Sequence, residues 1–495
     1  MKLVSQIALI FLCNLSFAKV SLPLLFCDNM ILQQNTEVNF WGKANPSEKV
    51  TITPSWLGKS ISIVSDSSGK WQLKIKTSKA SFDKQSIVIE GENKIVLNNV
   101  LLGEVWFSSG QSNMELPLKR VTNPEKEISE AVYPFIRIFN VKKQKSNQPE
   151  TEIPAGSLWL ECSPESVKEF SAMSYYFCRK MQKELNVPIG IISANWGGTG
   201  AECWTPEEKM KDNIVLKNIY SRWEKWNLDY KKDSISFSEE KKINPKLEDP
   251  KSVYMVSRPH RRPSVLYNAM VNPLIPYTIK GVIWYQGTSN RDWANEYLEQ
   301  MKALIYGWRE NWKIGNFPFY FLQLTAYKYS DSNLAAIIRE NQLKTLEVAN
   351  TAMCPTMDIG DINELHVPYK LPYGERLANI ALANTYNKNI PFCGPLFQKA
   401  IVNGNKIEVQ FKYNKGLHYN GENLNDVFIA GADKKFVKAI ALIQNNKLTV
   451  SSPEISKPVS VRYAWNNTGS ANLFNKDNLP ASPFRLDTWE NIIIE

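Results

Sequence analysis

Apolar and polar side chains alternate with a period of two along much of the first hundred residues. The run Ser60-Ile61-Ser62-Ile63-Val64, the polar stretch Asp66-Ser67-Ser68-Gly69 and the run Trp71-Gln72-Leu73-Lys74-Ile75 predict two strands joined as a hairpin. No helical period competes, and residues 19–100 are expected to form an N-terminal β-sandwich domain. From residue 101 the pattern changes. Short apolar runs at 104–108, 189–193, 280–285 and 317–324 alternate with amphipathic stretches at 173–185, 293–308, 335–349 and 374–386. This alternation predicts an α/β domain over residues 101–391, a mainly parallel sheet covered on both faces, with chemistry gathered at the carboxyl ends of the strands. Inside it lies a highly charged insert, residues 207–262, which includes Glu239-Glu240-Lys241-Lys242. A surface excursion and a rim over an active site both fit. Strand signals return at 407–411, 447–450 and 459–465, predicting a C-terminal β-sandwich over 392–495.

Composition narrows the class. At 495 residues the chain exceeds one ordinary domain, and 43% hydrophobic content with 15 Trp excludes a disordered protein. Indole faces also suit stacking on sugar rings, although core packing accounts for most of them. Lys2, an apolar stretch over 3–15 and Ser16-Phe17-Ala18 predict a cleaved export signal over residues 1–18, hence a secreted or periplasmic protein. The apolar stretch is too short for a membrane span, and Leu12 before Cys13 argues against lipoprotein processing. Six cysteines remain beyond the signal: Cys27, Cys162, Cys178, Cys203, Cys354 and Cys393. Their irregular spacing allows one or two disulfides or buried thiols, and with only three histidines no metal site is expected. The net charge of +10 is dispersed among nearly as many acids, so it reads as a solvated surface or a preference for acidic glycans. No nucleic-acid partner is expected.

Candidate chemistry begins at Gly110-Gln111-Ser112-Asn113-Met114, which follows the apolar run ending at Phe107. A serine in a tight turn beyond a strand is a common way to present a nucleophilic hydroxyl. It needs a base. His260 lies among Arg261 and Arg262, whose charges would depress its pKa. His418 sits in a Gly/Asn-rich turn of the C-terminal unit. His366 lies between a strand-like segment and a helix, where an α/β hydrolase can bring a base to its nucleophile. Elimination thus leaves His366, unless its role is structural. Two glycine-containing turns after strands, residues 193–200 and 286–290, offer oxyanion donors, unless they are ordinary strand-to-helix turns.

Together these segments resemble the sialate O-acetylesterase family of SGNH hydrolases. Residues 103–106 leading into 110–114 resemble its first block, 195–206 (NWGGTGAECWTP) its glycine block, 283–290 (IWYQGTSN) its third block and 365–377 its histidine block. Supporting likenesses are 26–41, 263–270 (RPSVLYNAM), 338–342 (IRENQ) and 462–485, so the resemblance spans nearly the whole chain after the signal. It implies an SGNH-type, flavodoxin-like three-layer hydrolase domain and a serine esterase that removes O-acetyl groups from carbohydrates through an acetyl-serine intermediate, without cofactor or metal. By resemblance Ser112 is the nucleophile and His366 the general base. The N–H groups of Ser112 and Gly198 and a side-chain amide, Gln286 or else Asn290, would form the oxyanion hole.

Two departures stand out. Thr288 replaces the usual Glu of the third block. Asn363 stands where SGNH hydrolases commonly carry Asp, and Glu364 where the sialate-esterase relatives often do. Glu364 is therefore the expected orienting acid. Asp361 or a main-chain carbonyl is the alternative, the latter leaving a Ser–His dyad. Sialosides, acetylated xylan and pectin all suit such an enzyme. The competing class is a non-catalytic glycan-binding protein with a decayed hydrolase core.

Overall fold

The computed structural model describes residues 19–331 and 333–489, so the expected export signal lies outside the described residues. Its organising element is the strand Lys94–Gly110. The first part of this strand pairs antiparallel with Ser81–Glu90 and parallel with Ile31–Gln33. Its second part lies between Ile189–Asn195 and Gly281–Tyr285, parallel to both. One strand therefore runs from the N-terminal β unit into the α/β unit, and the expected boundary at residue 100 falls within it. Phe319–Leu322 and Thr351–Cys354 extend the parallel sheet on one side, and Tyr133–Asn140 on the other. Trp159–Cys162 closes that edge antiparallel, making the sheet mixed. The inner strands are buried throughout, as strands covered on both faces must be.

Alternation along Lys94–Gly110 feeds two cores. Phe107 packs on Trp308 and Trp312 of the helix Tyr297–Trp312, whereas Trp106 packs on Phe177 of the helix Ala172–Leu185 and on Tyr320. The Ala172–Leu185 helix is capped by Ser171, whose hydroxyl accepts the Ser174 N–H, and ends at Asn186 in the left-handed conformation. Beside it runs Leu371–Asn384, the helix that follows His366.

The N-terminal unit corrects one expectation. Ile61–Val64 and Lys70–Lys76 do not pair with each other: the first joins Lys49–Pro54 and the second joins Glu37–Lys43. The intervening turn forms, with Asp66 accepting the N–H groups of Ser68 and Lys70, but it carries the chain from one sheet to another. At the other end of the chain, Leu396–Asn403, Lys406–Lys412, Lys447–Ser451 and Ile440–Gln444 form one antiparallel sheet. A second contains Phe436–Lys438, Val427–Ala430, Ser460–Tyr463 and Phe484–Arg485, and the two share an apolar core around Val409, Ile429, Val450 and Val461. The charged insert folds into helices that include Asn218–Ile243 and Lys251–Val256; Trp223 and Met255 join Ala303 of the Tyr297–Trp312 helix in a small core. All six described cysteines are free thiols. Among the described residues no helix is long and apolar enough to cross a membrane.

Candidate active site

The carboxyl end of Lys94–Gly110 turns sharply into the one-turn helix Ser112–Glu115. Gly110 has φ +151°, and a Cβ there would collide with the Tyr285 carbonyl on the neighbouring strand, so the turn requires glycine. Gln111 fixes the turn: its N–H donates to Tyr285 O at 3.2 Å, and its side-chain oxygen accepts the N–H groups of Gly287 (3.4 Å) and Ser289 (3.2 Å). Ser112 remains half-buried, its hydroxyl 2.9 Å from His366 Nε2. His366 arrives on the loop between Thr351–Cys354 and Leu371–Asn384.

The imidazole is held toward its neutral form. Burial lowers its pKa, and the Lys370 and Arg120 charges push the same way, against the opposing pull of Glu364. A neutral ring can take the Ser112 proton at Nε2. The other histidines are placed differently. His260 stacks on Trp196 at 4.7 Å, and burial, with Arg261, Lys143, Arg258 and Lys145 around it, lowers its pKa to about 4. His418 lies in the C-terminal unit, its Nδ1 3.0 Å from Gly416 O.

Neither candidate acid bonds the ring. Glu364 accepts the main-chain N–H of His366 at 2.7 Å, and Asp361 accepts the Asn363 N–H at 2.8 Å. The loop folds tightly enough that each carboxylate meets a main-chain donor first; Asp361, Asn363 and Glu364 are all exposed. Among the described residues no group is hydrogen-bonded to His366 Nδ1.

A clamp joins the two halves of the site instead. Asn113, next to Ser112, donates from Nδ2 to Leu365 O at 2.9 Å, immediately before His366, and accepts the Lys370 ammonium at 2.5 Å. Lys370 is 1% exposed and sits over the Tyr373 ring. Burial lowers its pKa to about 7 against the opposing pull of the Glu364 charge, and no carboxylate among the described residues pairs with it.

The glycine turn closes the other side. Gly197 lies against Ser112, a Cβ on it standing 3.2 Å from Ser112 Cβ, and its N–H is taken by Glu115 at 2.6 Å. The N–H groups of Ser112 and Gly198 have no acceptor among the described residues. The two expected amides are committed elsewhere. Gln286 Nε2 donates to Thr199 O (3.3 Å) and to Asn290 Oδ1 (2.6 Å), while its oxygen accepts the Tyr297 hydroxyl at 3.0 Å. Asn290 also accepts the Ala201 N–H at 2.8 Å and donates to the buried Glu202 at 2.7 Å. These side chains satisfy main-chain groups buried under the glycine turn, and Gln286 has no N–H to spare for a substrate oxygen. Thr288 is half-buried, its hydroxyl 3.3 Å from the Tyr329 hydroxyl. No cluster of ligands that could hold a metal exists among the described residues.

Residues 256–383 match the model of a carbohydrate esterase family, the sialic acid-specific acetylesterases. A solved structure of a carbohydrate acetylesterase from Xanthomonas citri superposes with a TM-score of 0.82 at 30% identity, over 95% of this chain and all of that one. The chain belongs to the sialate O-acetylesterase family. The sialate O-acetylesterase of Mus musculus is 27% identical to it over 93% of each chain, and that of Homo sapiens 28% over 88% of this chain and 86% of its own. The protein is thus a carbohydrate acetylesterase, a carboxylic ester hydrolase. In this esterase the stretch matching the family model holds His366 and Lys370, whereas Ser112 and Asn113 lie outside it. Sequence reasoning missed the Asn113–Lys370 clamp and the Glu115 anchor, although all three residues lie in or beside the blocks that carried the resemblance.

Proposed function

We propose that the esterase removes acetyl groups from sugar hydroxyls through an acetyl-enzyme on Ser112. The observation that carries this reading is the 2.9 Å contact between Ser112 Oγ and His366 Nε2; the N–H groups of Ser112 and of Gly198, which follows the Gly197 that abuts Ser112, have no acceptor among the described residues. Ser112 Oγ attacks the acetyl carbonyl as its proton passes to His366 Nε2, and the two N–H groups receive the developing oxyanion. Collapse breaks the ester bond, and His366 returns the proton to the departing sugar oxygen. Water then attacks the acetyl-enzyme with His366 again as base, releasing acetate and free Ser112.

The Ser–His pair works here as a dyad, with Glu364 and Asp361 shaping the loop. The site is read as an SGNH-type three-layer domain over residues 101–391, flanked by β-sandwiches over 19–100 and 392–495. The pattern of residues 1–18 supports export and cleavage after Ala18. Acetate release from acetylated sialosides, xylan and pectin, by wild type and Ser112→Ala, tests the reading. Release from at least one substrate that vanishes in the variant is expected. Equal release by both proteins refutes it.

A further inference from the structure

A small recess of about 160 Å³ opens beside the glycine turn, between it, the segment 288–293 and the charged insert. The insert supplies Lys251, Tyr254, Met255 and Arg261 to its wall. The two cations on the wall besides Arg261 are neutralised: Lys251 pairs with Asp292, and Arg291 with Asp331 at 2.7 Å. Glu202, the remaining acid, is bonded to Asn290, and burial raises its pKa, which opposes its charge.

Arg261 differs. Its guanidinium forms no ion pair with any carboxylate among the described residues, and its Nε is buried without a hydrogen-bond partner. Its position is nonetheless fixed. The guanidinium lies on the Tyr254 ring at 4.1 Å, with Arg258 over the same ring at 4.3 Å. Its N–H donates to Arg258 O at 2.9 Å, and its carbonyl accepts the Cys203 thiol at 3.2 Å. A fixed guanidinium with an unmet donor is costly unless a ligand supplies the acceptor. It also stands close to the reacting centre: Gly197 touches Ser112, and a Cβ on the next residue, Gly198, would stand 2.7 Å from Arg261 Nη2. Of the cations around the neighbouring His260, Lys143 pairs with Glu115 and Arg258 with Asp249 at 3.4 Å, which leaves Arg261 as the cation on the recess wall without a carboxylate partner among the described residues.

We propose that Arg261 is the specificity-determining residue of the substrate site, holding the carboxylate of an acidic acetylated sugar in this recess. The inference rests on the reading of Ser112 and His366 as the esterase centre, and it gives the charged insert a role as the wall that selects substrate. A planar guanidinium suits a carboxylate, which accepts two parallel charge-assisted N–H bonds, better than a neutral hydroxyl, which accepts one weaker bond. A sialic acid and a uronic acid both supply that group.

The test compares acid and methyl ester of the same acetylated sugar, one pair built on a methyl sialoside and one on a methyl galacturonoside. On at least one pair, wild type is expected to prefer the acid by about tenfold or more in kcat/KM, mainly through KM. The pair with the larger preference names the sugar class. Arg261→Gln is expected to bring that ratio close to one, and Arg261→Lys to leave part of it. Equal rates on acid and ester in both wild-type pairs overturn the proposal, as does a preference that survives Arg261→Gln. Ser112→Ala runs in parallel: if it retains turnover the mechanism above has failed, while the acid-to-ester ratio still judges Arg261.

Discussion

Replacing Lys370 by methionine should stabilise this esterase at neutral and acid pH while slowing it. The Lys370 ammonium is buried, has no carboxylate bridged to it among the described residues, and its pKa falls from 10.5 to about 7. Between these values the unfolded chain holds the proton that the folded chain has lost, so stability rises with pH across that window. Below pH 7 both states are charged and the folded state bears the full penalty, on the order of 5 kcal/mol for a shift of this size. Methionine fills similar space and removes the penalty, but it leaves Asn113 Oδ1 without its donor, which costs about 1–3 kcal/mol. A net gain of roughly 2–4 kcal/mol at pH 6 follows, shrinking by about 2–3 kcal/mol at pH 9 as wild-type Lys370 becomes neutral. Urea unfolding of both proteins at the two pH values measures this difference and cancels the titration of groups that the Lys370 charge does not reach, leaving its smaller coupling to His366 and Glu364. The same substitution frees Asn113 from one end of its clamp on Leu365 O, so kcat should fall. A variant no more stable than wild type at pH 6, or with the same advantage at both pH values, refutes the reasoning.

Three further outcomes follow from the same geometry. Gly198→Ala places a Cβ at φ +73° and against Arg261 Nη2, displacing the N–H assigned to the oxyanion; kcat should drop by about 10²-fold or more, read with p-nitrophenyl acetate. Glu364→Gln keeps an acceptor for the His366 N–H, so kcat should change by less than about tenfold, against roughly 10⁴-fold where an acid orients the ring of a triad. Because burial and the Lys370 charge lower the His366 pKa, kcat/KM should rise with pH and level off through a midpoint below the ordinary histidine value of 6.5.

The hydrophobic pattern carried the α/β alternation because strands buried on both faces and helices with one apolar stripe leave different periods in the chain. It also located the Ser112 turn, and elimination among three histidines pointed to His366, which the structure sets against Ser112. What the pattern left hidden depends on partners distant in sequence. Alternation over residues 60–75 reveals strands but not which strand each will join, and the two join different neighbours. The reach of Glu364 is decided by how tightly its loop folds, and the loop offers it a main-chain donor before the ring. Gln286 and Asn290 look like substrate donors until Thr199, Ala201 and Glu202 are placed beside them. Nothing in the sequence around Lys370 shows that Asn113 and Tyr373 will cover it.

The central claim is that Ser112 carries the acetyl group. Acid-quenching the enzyme during turnover of an acetylated sugar, digesting it and weighing the peptide that contains Ser112 tests that claim most directly. The account predicts one acetyl group on Ser112 in wild type, and neither acetylated peptide nor acetate release in folded Ser112→Ala. Acetate released at the wild-type rate by Ser112→Ala, or an acetyl group trapped on a different residue, would contradict it.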